Sequence, residues 1–94
     1  MPPGALPDKP TVLRDVTNLV AAFTGMAPAS VRPTYELKKA PLRFDDGGLR
    51  WLAMSLRGYV QRYNQGETVR SSETRASKLT VSGLGDLCHT KIHA

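Results

Sequence analysis

Five side chains in one short stretch carry the clearest chemistry in this chain: Arg50, Trp51, Met54, Arg57 and Arg62. An indole and a thioether set among guanidinium groups suit contact with an acidic surface. Trp and Arg are enriched where protein interfaces are tightest. Other sets are weaker. Asp45 and Asp46 are adjacent carboxylates in a glycine turn, where such residues serve as helix caps and turn formers, and no second acidic cluster accompanies them. Cys88, His89 and His93 lie close together, with the histidines four apart on one helix face. Two histidines do not close a zinc site, and histidines at a helix C-terminus also suit the dipole. Cysteine catalysis needs a base and an orienting group, and none can be named. No metal ligand set and no catalytic constellation is expected, so the sequence reads as a non-enzyme.

The stretch 45–63, DDGGLRWLAMSLRGYVQRY, predicts the element that presents the arginines. Leu49, Leu52, Ala53, Leu56, Val60 and Tyr63 form one apolar stripe at helical spacing, with Tyr59 on its edge. At about 100° per residue, Trp51 and Met54 fall outside that stripe. Arg50, Arg57 and Gln61 fall near Met54, and Arg62 falls near Trp51. The helix is expected over 47–63, with Asp45 or Asp46 as its cap. Trp51 either faces a partner or is covered by the 25–44 connection. In the first case its truncation should weaken binding by roughly 2 kcal/mol or more and leave folding nearly untouched.

A first helix is expected over 11–24, with Val12, Val16, Leu19, Val20 and Phe23 on its inner face, Asp8 or Thr11 as cap and Gly25 as C-terminal stop. Residues 25–44 hold prolines at 28, 33 and 41, so they form a long connection, anchored by Leu37, Leu42 and Phe44. Residues 64–80 read as a mobile polar loop with one short helical turn. A last helix is expected over 82–92, with Ser82 as cap, Val81 as a staple before it, and Leu84, Leu87, Cys88 and Ile92 facing inward. The Pro-rich stretch 1–10 reads as a flexible arm, and 11–94 as one helical domain.

The 94 residues are 40% hydrophobic and 22% charged, the balance of a globular chain. Thirteen basic residues against eight acidic ones give a net charge of +5, which favours anionic partners. An acidic protein surface fits, and nucleic acid is the alternative, since Arg50, Arg57 and Gln61 share a face and the 70–78 loop is basic. No apolar run reaches the roughly 18–20 residues that span a bilayer. The single cysteine excludes an internal disulfide, and the start has no secretory pattern. A cytoplasmic setting is expected.

The layout resembles an acyl or peptidyl carrier protein. Residues 16–37, VTNLVAAFTGMAPASVRPTYEL, are similar to that family's first helix and its following loop. Asp46 to Val60 is similar to its Asp-Ser-Leu motif and second helix, and 80–87, TVSGLGDL, to the start of its last helix. The resemblance covers residues 11–92 and implies an all-α bundle of three to four helices with a long loop between the first two. It also implies a serine that carries phosphopantetheine, which by position falls on Gly48. Glycine has no hydroxyl, and Ser55 lies two turns into the helix, so no prosthetic arm is expected. Carrier proteins are acidic along the second helix. Here that helix carries Arg50, Arg57 and Arg62, a reversed sign that implies acidic partners.

Overall fold

The computed structural model describes residues 6–94. They fold into an all-α bundle: α1, Lys9–Thr24; α2, Asp46–Gln61; α3, Ser71–Thr74; and α4, Val81–Ile92. A single 3-10 turn, Pro28–Ser30, interrupts the long connection between α1 and α2.

Each helix starts where a side chain satisfies a free backbone N–H. The Asp8 carboxylate accepts from the Thr11 N–H at 3.0 Å, so α1 begins before residue 11. The Asp45 carboxylate accepts from the Gly48 N–H at 2.7 Å. α4 is capped by Thr80, whose hydroxyl oxygen accepts from the Gly83 N–H at 3.0 Å, and not by Ser82. Val81 is therefore the first residue of the helix, fully buried, and not a staple ahead of it. α1 stops at Gly25, whose φ of 76° is left-handed and whose N–H donates to Ala21 O at 2.9 Å.

The core joins one stripe from each long helix. Val12, Val16 and Val20 of α1 meet Leu49, Leu52, Leu56 and Val60 of α2 and Leu84, Cys88 and Ile92 of α4. α1 packs tightly on α4 at Gly85, where an added Cβ would sit 3.1 Å from Leu13 Cδ1. The long connection is tied down as its sequence predicts, with Leu37, Leu42 and Phe44 buried. Backbone bonds stitch it to the start of α4: Leu37 N–H to Leu79 O, Val81 N–H to Tyr35 O and Ser82 N–H to Pro33 O.

Several expectations are corrected. α2 ends at Gln61, with Tyr63 and Asn64 in a turn that donates back to Val60 O. Leu19, Tyr63 and Leu87 are only partly buried. Phe23 is 43% exposed. Its azimuth on α1 points inward, but it is the penultimate residue of the helix, and the aromatic rings of Phe44 and Trp51 are its cover. Residues 64–80 are better anchored than their polarity suggests. Val69 is buried, and the fully buried Thr74 hydroxyl lies 2.9 Å from Leu49 O and 3.0 Å from Ser71 O. Of the arm expected over 1–10, residues 1–5 lie outside the described residues. Pro7 is buried, its carbonyl 2.8 Å from His93 Nε2, and Lys9 and Pro10 belong to α1.

Candidate partner-binding face

The outer face of α2 follows from its inner one. Gly48, Leu49, Leu52, Ala53, Leu56, Tyr59 and Val60 are buried, which turns residues 50, 51, 54 and 57 outward. Met54 is 68% exposed and Trp51 39%. Trp51 is not sealed in the core. Its indole stacks on Phe23 at a centroid distance of 4.6 Å and 29° between planes, and Phe23 stacks in turn on Phe44 at 5.0 Å and 15°. Three rings thus form a shelf, with Phe44 buried and both Phe23 and Trp51 partly open to solvent.

On the far side of Met54, away from this shelf, Arg50 and Arg57 flank a groove of about 460 Å³ between α2 and α3. Its floor is Ala53 and Val69, and Arg70 closes its far rim. Arg50, Met54 and Arg57 are therefore brought together as their spacing predicts. Arg70 was not among the expected site residues. Val69, the one large apolar residue before Leu79, was the available signal, because burying it fixes the next residue at the edge of α2. No ion pair among the described residues engages Arg50, Arg57 or Arg70.

Arg62 does not join this cluster. It sits past the end of α2 in a separate depression between α1 and α2, with Asp15, Asn18, Gly58 and Tyr59. There the Tyr59 hydroxyl donates to Asp15 at 2.7 Å. Burial first, and then this bond to a carboxylate, push the Tyr59 phenol well above its ordinary value. Helical azimuth put Arg62 beside Trp51, but eleven residues of rise, roughly 16 Å, separate them along the axis.

Gly48 lies at the start of α2, as the resemblance to carrier proteins implies, but it faces inward. A Cβ there would meet Phe23 Cε1 at 3.1 Å, Phe44 Cδ1 at 3.1 Å and Asp45 Oδ1 at 3.2 Å. The position offers no attachment oxygen, and a side chain there would press on both rings.

The remaining candidates serve structure. Asp45 is the α2 cap, and Asp46 adds a carboxylate to the first turn, next to the positive end of the dipole. Cys88 is buried, and burial pushes its thiol up to about 12, which keeps it protonated at neutral pH. His89 and His93 stack at 4.2 Å between ring centroids. No group of three or more His, Cys, Asp or Glu side chains comes together as a metal set among the described residues. No helix among them is long and apolar enough to cross a membrane. Compared with known proteins, the chain matches no family, no curated protein and no solved structure.

Proposed function

We propose that this chain is a non-catalytic interaction module, a carrier-like helical domain without a prosthetic arm, which binds an acidic partner protein through the outer face of α2. One observation carries the reading. Met54 stands in solvent between an indole held by a ring stack and two arginines without ion-pair partners among the described residues. An exposed thioether adds nothing to the monomer's core, yet it packs adaptably against a partner. Flanking guanidinium groups would steer an acidic surface onto it. The buried, protonated Cys88 suits a reducing, cytoplasmic setting.

The test is affinity capture with the native chain and with a Met54→Ala, Arg57→Ala variant, both confirmed to be folded. A partner held by the native chain and lost from the variant, with an association rate that falls as salt rises, supports the reading. Equal capture by both chains refutes it. Duplex DNA and RNA are titrated in parallel. A steep fall of log K with log salt there would assign the arginines to nucleic acid instead.

A further inference from the structure

The groove between α2 and α3 is more specific than a positive surface. Arg50, Arg57 and Arg70 line it, and no carboxylate does. The nearest acids on the α3 side, Glu67 and Glu73, line a neighbouring depression. There Glu73 is held by Lys91 at 3.1 Å and by the Arg70 backbone N–H at 3.0 Å. Asp46, one turn before Arg50, forms no ion pair with it. Three guanidinium groups therefore share one groove, none of them in an ion pair within 4 Å, although Arg70 also borders the neighbouring depression, where its charge helps hold Glu73 ionised.

Geometry narrows what would balance them. Arg50 and Arg57 are two helical turns apart, about 11 Å along the axis, a gap that two such side chains can close around a small anion. Arg70 approaches from the other wall, on a backbone fixed by buried Val69. The hydroxyls of Thr68 and Ser71 line the same groove and add neutral donors. A single carboxylate is satisfied by one guanidinium fork and would leave at least one of Arg50 and Arg57 unmatched. A phosphate monoester brings nearly two charges and three strong acceptor oxygens. The groove also opens beside Met54 and not into the core, so a phosphate attached to a larger body can enter while its neighbours lie on the exposed face.

We propose that this groove binds a phosphate monoester carried by the partner protein, a phosphoserine or phosphothreonine in an acidic segment. The proposal rests on the α2 docking reading and names the chemistry that the face would recognise.

The test needs no partner. The ¹⁵N-labelled chain is titrated with a short acidic peptide bearing one phosphoserine, with the same peptide bearing serine, with inorganic phosphate, and with a single-stranded oligonucleotide. The expected result is a saturable shift of the Arg50, Arg57 and Arg70 side-chain Nε signals and of the amides of 68–71. The phosphopeptide should bind tenfold or more tightly than the serine peptide or free phosphate. An Arg57→Gln, Arg70→Gln variant should lose roughly tenfold or more of that binding, and Arg43→Gln, which lies outside the groove, should lose none. Equal binding of both peptides, tighter binding of phosphate or of the oligonucleotide, or an equal loss from Arg43→Gln would each overturn the proposal. The docking reading fails separately, when the Met54→Ala, Arg57→Ala variant captures the same partners as the native chain.

Discussion

Replacing Trp51 by alanine tests the ring shelf, and the expected cost follows from the geometry. A tryptophan buries about 250 Å² at most. With 39% of Trp51 exposed, about 150 Å² is covered, worth ~4 kcal/mol at ~25 cal/mol per Å² as an upper bound. Residual burial in the denatured chain brings this to ~2.5 kcal/mol. Alanine then returns about 0.5 kcal/mol through its higher helix propensity. The expected net loss is ~2 kcal/mol, which for a domain of this size lowers Tm by roughly 10 °C. This exceeds the near-zero folding cost expected of an indole that faces solvent, because Phe23 covers one face of it. Urea unfolding followed by far-ultraviolet circular dichroism measures the loss. Met54→Ala, at a side chain 68% exposed, should stay within ~0.5 kcal/mol of the native chain. A double-mutant cycle with Phe23→Ala should give a coupling of about 0.5–1.5 kcal/mol. A Trp51→Ala loss under ~0.5 kcal/mol would mean that the stack does not hold in solution. A loss above ~4 kcal/mol would place the indole in the core and remove the anchor of the docking face.

Other expectations follow from single contacts. Thr74→Val keeps the shape of a fully buried side chain but deletes its hydroxyl bond to Leu49 O, and should cost about 1 kcal/mol in urea unfolding; no loss would mean that α3 is not pinned to α2. Co-expression with a broad phosphopantetheinyl transferase should leave the intact mass of both the native chain and Gly48→Ser unchanged, because a side chain at 48 runs into Phe23 and Phe44; a gain of one arm's mass in the variant would show that the position is open. Cys88, with its thiol pushed up to about 12 by burial, should resist iodoacetamide at neutral pH in the folded chain and react readily in urea; equal rates would refute its burial. At Glu73 burial raises the carboxyl pKa, but the Arg70 N–H and Lys91 outweigh it and hold it below 4.5. That stabilisation is present above the unfolded value and is lost as pH falls through the folded one, so Glu73→Gln should flatten the acid limb of a stability-against-pH curve.

The sequence made the helices legible because their stripes are regular. Leu49, Leu52, Leu56 and Val60 repeat at helical spacing, and all are buried. Leu37, Leu42 and Phe44 were readable as anchors because a proline-rich connection gives apolar residues no other use. What periodicity could not supply was position along an axis. Phe23 and Arg62 both have the azimuth their spacing implies, but Phe23 overhangs a helix end and Arg62 lies beyond one. Contacts made across the chain were equally hidden. Thr74 is one threonine among several in a polar stretch, and only the fold brings its hydroxyl to Leu49, 25 positions away. Arg70 reaches the groove for a similar reason, carried there by Val69.

The distribution of cations separates charge that serves the fold from charge that does not. Lys9, Arg14, Lys39 and Lys91 each lie within 4 Å of a carboxylate of their own chain. Lys38 donates to the Arg75 carbonyl. Those five contribute to the net charge while their local fields are largely answered at home. Arg50, Arg57 and Arg70 share one groove and have no such carboxylate among the described residues. Arg32, Arg43, Arg62, Arg75 and Lys78 also lack an ion pair among the described residues, but they do not line this groove, which lies beside an exposed methionine. The inner stripe of α2 is fixed by packing against α1 and α4, so its sequence answers to the core. Its outer side carries no such constraint, which leaves its chemistry free to serve the docking proposed above.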